Sequence, residues 1–366
     1  MTAEIIGLVH YNASTPLDPR PQTEFDVGAI IASAKAQEAA GYDRVLIANT
    51  ALMPDCHTIG AHVAANTTRL GLMLAHRPGF IAPTMAARLL ATVDQLSGGR
   101  AGVHIIAGPS DKELEADGDF LTKDERYHRA LEYVGIMRRL WESEAPVDHE
   151  GRYYRFNQAF VPVKPVQKPA IPVFWGGTSG ISVESCAQCA DIFALSGDSL
   201  KNTREMVEKA RDAAAKYGRT LHYMMTLIII LGETEQEAWD KADAALDALL
   251  ELQQKRNPDA AAKGPTNFDV KSDNRSRQLR TAEEGERQDR CLWMGMTKAA
   301  GGKSGNQTTL VGTPAQVTDA LMDYYAMGVT KFLLRGYRPL EDIPEFGRTL
   351  IPMFRGQAAA FDAQSR

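Results

Sequence analysis

Eight short apolar runs recur along this chain of 366 residues, each separated from the next by a longer stretch with helical spacing. The runs are residues 5–9, 44–48, 70–75, 102–107, 171–176, 191–195, 222–231 and 331–336. Strands that alternate with helices in this way build a parallel sheet wrapped by those helices. Eight repeats predict an α/β fold of the (β/α)8 TIM-barrel type, one domain spanning 1–366. Such a barrel needs about 250 residues, which leaves roughly a hundred for insertions. Residues 145–172 alternate polar and aromatic side chains between prolines and read as an extended excursion before the fifth strand. Residues 254–308 carry charge, glycine and little periodicity; so long an irregular stretch reads as a mobile lid before the last barrel strand.

The composition, 44% hydrophobic and 24% charged, suits a large buried core and shows no bias towards disorder. A formal net charge of −5 supplies no global attraction to nucleic acid or anionic lipid, so the expected partner is a small molecule. The longest apolar stretch, residues 224–231, falls far short of the roughly 20 residues of a membrane helix. With four cysteines and an N-terminus, MTAEIIGLVHYN, lacking a basic start and a long apolar stretch, a reduced cytoplasmic protein is expected. The CAQC at 186–189 falls in a helical stretch with no second pair at ligand spacing, so it reads as packing and no metal is expected. GGKSG at 301–305 lacks the spacing of a phosphate loop.

Active sites of such barrels lie at the carboxyl ends of the strands. The residues there are His10, Tyr11 and Asn12; Asn49 and Thr50; His76 and Arg77; Ala107 and Gly108; Gly176 to Ser179; Ser196 and Gly197; and Arg335 to Tyr337. The glycines of SGGR, residues 97–100, precede a strand and turn the chain at the opposite end. The small Ala107-Gly108 pair would let a flat ligand approach the backbone. Gly176, Gly177, Thr178 and Ser179 lie between a strand and a helix, where amides and hydroxyls can hold a phosphate. The same four residues also read as a turn and an N-cap.

Five segments occur in an order that resembles the luciferase-like flavin-dependent monooxygenase superfamily, most closely its alkanesulfonate monooxygenase branch: residues 69–141, PVFWGGTSG (172–180), GETEQEAW (232–239), TTLVGTPAQV (308–317) and FLLRGYRPLED (332–342). The resemblance implies a two-component system. A separate NAD(P)H-dependent flavin reductase would supply reduced FMN (FMNH2), and this chain would activate O2 as a flavin peroxide or hydroperoxide and oxygenate a small organic substrate. It also implies a homodimer or homotetramer. Carried over by position, the cofactor residues are His76, Arg77, Ile106, Ala107, Gly108, Tyr127, Gly176, Gly177, Thr178 and Ser179, with a strained cis peptide at Ala75-His76. Candidates for chemistry are His10, Cys56, Arg335 and Tyr337. Candidates for the substrate are Tyr11, Asn49, Ser196, Thr226, Ile228 and, on the lid, Arg290, Lys298 and Lys303.

The departures from that branch concern the substrate. Its Asn-x-x-Thr pattern at the end of the fourth strand is replaced by His104 and Ala107, and its Arg-x-His on the seventh by Thr226 and Ile228. A sulfonate in a low-dielectric site needs charge-assisted donors. A less polar organosulfur compound such as a sulfone therefore suits this chain better than an alkanesulfonate. Two other readings are a deazaflavin-dependent oxidoreductase of the same superfamily and a non-catalytic flavin-binding barrel.

Overall fold

The computed structural model describes residues 3–108, 110–256, 273–301 and 307–364. Its strands are β1 (Glu4–Val9), β2 (Arg44–Ile47), β3 (Gly71–His76), β4 (Val103–Ile105), β5 (Val147–Glu150), β6 (Arg155–Ala159), β7 (Val173–Gly176), β8 (Ile192–Ser196), β9 (His222–Leu231), β10 (Arg287–Gln288), β11 (Leu292–Trp293), β12 (Thr309–Gly312) and β13 (Val329–Arg335). The helices are α1 (Val27–Ala39), α2 (Cys56–Asn66), α3 (Pro83–Ser97), α4 (Asp111–Ala116), α5 (Lys123–Glu142), α6 (Gly180–Cys189), α7 (Leu200–Ala215), α8 (Glu235–Arg256), α9 (Asp273–Glu284), α10 (Gly295–Ala299), α11 (Pro314–Tyr325), α12 (Pro339–Arg348) and α13 (Leu350–Gln364).

The fold is a (β/α)8 barrel. Its strands pair in the order β1, β2, β3, β4, β7, β8, β9, β13, and β13 pairs with β1. Each of the eight apolar runs became one of these strands. β3 shows why the runs lack alternation: all six of its residues are buried, as a strand covered on both faces requires. By residue contacts the chain forms two compact units, one of residues 44–194 and 209–222, the other of residues 1–43, 195–208 and 223–366.

In the unit of residues 44–194 and 209–222, β3 pairs with β2 and β4, and β4 with β7, all parallel. Helix α3 starts with Pro83 at its first turn and stops at Gly98, which takes φ +66 in the left-handed region, so SGGR is a helix stop. Just before that stop, the buried Asp94 carboxylate accepts hydrogen bonds from Ala101 N (3.2 Å), Val166 N (2.8 Å), Gln167 N (3.1 Å) and Gln167 Nε2 (2.6 Å). These bonds tie the insertion of residues 145–172 to the start of β4. The insertion itself holds a hairpin, β5 antiparallel to β6. Helix α5 opens with a Thr122–Glu125 capping box and packs against α3 and α6. Its buried side includes Arg126, Tyr127, Tyr133, Met137 and Leu140.

In the other unit, β9 pairs in parallel with β13 and, through Ile228 to Leu231, with β12. The expectation that residues 254–308 are irregular is corrected wherever they are described. Helix α8 runs on to Arg256, and α9, the β10–β11 hairpin and α10 follow. β11 extends the sheet by pairing with β12. Helix α9 docks through polar groups, which is why apolar periodicity missed it. Gln278 Nε2 donates to Gly197 O (2.7 Å) and Thr308 Oγ1 (3.0 Å), Thr281 Oγ1 to Asp198 Oδ1 (2.8 Å), and Arg277 Nε to Asp198 Oδ2 (2.7 Å). Residues 257–272 and 302–306, with Lys303, lie outside the described residues.

All four cysteines are buried and free, and among the described residues no group of side chains is arranged to hold a metal ion. No described helix is long and apolar enough to cross a membrane.

Candidate active site

The segment after β7 forms a cradle. Gly177 takes φ +112, and a Cβ on it would stand 2.2 Å from Tyr127 Oη and 2.6 Å from Ser182 Oγ, so only glycine lets α5 lie this close. Ser182 Oγ donates to Gly177 O (2.9 Å) and accepts from Trp175 Nε1 (3.1 Å), which fixes the turn. Ser179 is the N-cap of α6, yet its side chain makes no capping bond. Both Ser179 Oγ and Thr178 Oγ1 are buried without a hydrogen-bond partner. Two orphaned hydroxyls beside the N–H groups of a helix start are costly unless something accepts from them. Gly177 and Ser179 do form a turn and an N-cap position, but the side-chain bond of an N-cap is absent.

His104 lies under this turn. Its Cε1 and Nε2 stand 3.2 and 3.3 Å from where a Gly176 Cβ would be, and Ile106 Cγ2 follows at 3.4 Å. Burial pushes His104 down to about 4, so the imidazole is neutral near pH 7. Sequence reasoning noticed His104 only as a departure. Its signal was a polar residue inside an apolar strand. Gly108 has a different role from the one expected. It takes φ +87, and the space a Cβ would need is filled by Leu114, with Cδ1 at 2.5 Å. It is a turn glycine packed by its own loop and leaves no gap there for a ligand. The carbonyl of Ala107 accepts from Arg126 Nε (2.8 Å), which holds that loop to α5.

A second cleft, of about 340 Å³, opens at the ends of β2 and β3 and is lined by Asn49, Asp55, His57, His76, Arg77 and Asp117 among others. Arg77 donates to Asp117 Oδ2 (2.8 Å), stands 3.5 Å from both Glu113 Oε1 and Asn49 Oδ1, and stacks on Phe80 at 4.5 Å. Asn49 Nδ2 reaches Ala75 O (3.3 Å). The buried His76 joins His57 through Nδ1 (3.1 Å) and Tyr133 Oη through Nε2 (2.8 Å). Burial, then His57 and Arg77, pushes His76 down to about 3. The expected cis peptide at Ala75-His76 is corrected: among the described residues the cis bond is Lys168-Pro169. The ladder explains this, because β3 stays in register through His76 opposite Ile105 and Ile106 N donates to His76 O (3.0 Å), as extended trans backbone allows. Cys56 is buried, donates to Ala75 O (2.9 Å), and is pushed up to about 12 by burial, so it stays a thiol at neutral pH. Sequence reasoning missed His57 and Tyr133, which carry no motif.

The remaining candidates belong to the other unit. Half-buried His10 ends beside Arg335, and burial with that charge pushes it down to about 4. Tyr11 lies in the loop after β1, its carbonyl accepting from Asp26 N (2.9 Å). Tyr337 is buried against Ile228, Trp293 and Val311, and its hydroxyl donates to Gln307 Oε1 (3.1 Å). Thr226, in the middle of β9 opposite Leu333, and Ser196, the last residue of β8, are half-buried. Ile228 is fully buried and pairs with Thr309 and Arg335. Exposed Arg290 and Lys298 are engaged at the surface with Asp323 (2.6 Å) and Glu286 (2.6 Å).

These features coincide with a match to the family model described as luciferase-like monooxygenase over residues 8–331. The chain belongs to that family. Solved structures that share its fold include the following three. A riboflavin lyase (RcaE), solved with modified FMN and riboflavin, is 21% identical with a TM-score of 0.79 over 98% of this chain and 92% of its own. The EDTA monooxygenase (EmoA) of Chelativorans sp. BNC1 is 19% identical with a TM-score of 0.75 over 98% and 94%. An F420-dependent secondary alcohol dehydrogenase is 18% identical with a TM-score of 0.69 over 97% and 99%.

Proposed function

We propose that this protein is a monooxygenase that takes reduced FMN from a separate reductase and uses O2 to oxygenate a small, weakly polar organosulfur compound such as a sulfone. The observation that carries the cofactor assignment is the pair of buried, unpartnered hydroxyls, Thr178 Oγ1 and Ser179 Oγ, at the start of α6. They donate to the phosphate, the α6 amides add theirs, and Gly177 keeps Tyr127 Oη close by. Neutral His104 and Ile106 line the floor beside Gly176 without placing a charge there. Bound and reduced, the flavin supplies the two electrons that O2 activation consumes, while the protein positions, desolvates and shields.

The substrate assignment rests on charge. Ile228 is hydrocarbon, and Arg290 and Lys298 are held by surface carboxylates, which leaves these positions poor donors for a sulfonate. Tyr337, pushed up to about 12 chiefly by burial, remains a neutral hydroxyl. The test is incubation with enzymatically reduced FMN and 18O-labelled O2 over sulfones, sulfonates and neutral organosulfur compounds. One 18O atom in the product of a sulfone is expected. Turnover only with a reduced deazaflavin and without label would replace this reading with hydride transfer.

A further inference from the structure

The side chains below the Arg77 cleft form a single file. Asp55 Oδ2 faces His57 Nδ1 (3.3 Å), His57 Nε2 faces His76 Nδ1 (3.1 Å), His76 Nε2 faces Tyr133 Oη (2.8 Å), and Tyr133 Oη faces Ile81 O (3.0 Å). Both histidines and Tyr133 are buried, whereas the Asp55 carboxylate is 56% exposed and, with His57, lines the cleft. The file has an acceptor at each end, a carboxylate and a backbone carbonyl. Four contacts therefore need four hydrogens. Two neutral imidazoles and one phenol supply three, so the neutral file is one proton short.

We propose that the His57–His76 pair stores one proton, taken up at His57 Nδ1 beside Asp55, and returns it to an anionic oxygen of a ligand bound in the cleft. With the added proton His57 donates to Asp55 and to His76 Nδ1, His76 Nε2–H donates to Tyr133, and Tyr133 donates to Ile81 O. Every contact is then filled. On release an N–H bond breaks and an O–H bond forms on the ligand, the pair returns to neutral, and no electrons change hands. Asp55 is suited to the cation, because the hydrogen bond with His57 holds its carboxyl well below the usual range. His76 stays neutral in both forms, as its burial demands. The other groups facing the file are Cys56, 3.6 Å from His57 Nδ1, Arg77 beside His76, and Arg129 and Tyr154 beside Tyr133. Glu113 and Asp117 act through Arg77.

Only the identity of the proton acceptor rests on the oxygenase reading, so the proton store is tested on the full chain without turnover. Histidine-ring 15N NMR of wild type across a pH series should show the His57 and His76 rings shifting together with one common midpoint. Asp55→Asn removes the counter-charge and keeps a capping side chain for α2. Tyr133→Phe leaves two N–H groups for two remaining contacts, which ends the shortage. Each variant should lower the midpoint by about one pH unit or more. Rings that shift with separate midpoints or not at all, or variants with the wild-type midpoint, overturn the proposal. Where turnover is measured, the acid limb of kcat/KM should move with the NMR midpoint in Tyr133→Phe; a fixed limb overturns the hand-over to ligand. Absence of any oxygenation would refute the oxygenase reading and leave the NMR result standing.

Discussion

Single residues decide the site, and they differ in how far they could be read from sequence. Gly177 is needed twice, for φ +112 and for the approach of Tyr127 Oη. Gly177→Ala should destabilise the protein by about 2 kcal/mol in urea unfolding, as expected for a side chain forced to positive φ. Asp94 is a stricter case. It is fully buried with four donors aimed at it, so Asp94→Ala leaves them unsatisfied and should cost about 3 kcal/mol by the same measurement. The position of the Gly-Gly-Thr-Ser stretch between a strand and a helix was legible, and β7 and α6 flank it. Gly108 was misread because sequence gives no sign of whether a missing Cβ makes room for a ligand or for a neighbour, here Leu114. His57, His76 and Tyr133 come from α2, β3 and α5, and a file assembled across elements leaves no spacing to find.

At the scale of elements, continuous apolar runs gave the barrel strands because each must be buried on both faces. Helix α9 escaped the same logic. It turns Gln278 and Thr281 inward, and its anchor is the buried Asp198, which also accepts from Asn202 Nδ2 (3.0 Å). Asp198→Ala strips Arg277, Thr281 and Asn202 of their shared acceptor. It should cost about 3–5 kcal/mol and raise hydrogen exchange in α9 selectively, since a buried pair that loses one partner strands the other. Unchanged exchange in α9 would mean that the helix is held by something other than this carboxylate. The short β10 and β11, two residues each, carry too little pattern to be read in advance.

At the scale of the whole molecule, the class of fold followed from the sequence, whereas the chemistry depends on burial that only coordinates reveal. His10 and His104 are both pushed down to about 4, below the unfolded value near 6.5. The unfolded chain therefore binds more protons once the pH drops under about 6.5, and stability must fall from there towards pH 4. Each histidine should account for a loss of about 2 kcal/mol by pH 5. In His104→Gln the difference in unfolding free energy between pH 8 and pH 5 should shrink by about that amount. The central claim, that the start of α6 grips the phosphate of reduced FMN, is tested most directly by anaerobic titration with reduced FMN and, in parallel, with reduced riboflavin, which has no phosphate. Replacing Thr178 by Val and Ser179 by Ala together should weaken reduced FMN by about 100-fold and leave reduced riboflavin nearly unchanged. Equal loss for both flavins, or no loss for either, would contradict the account.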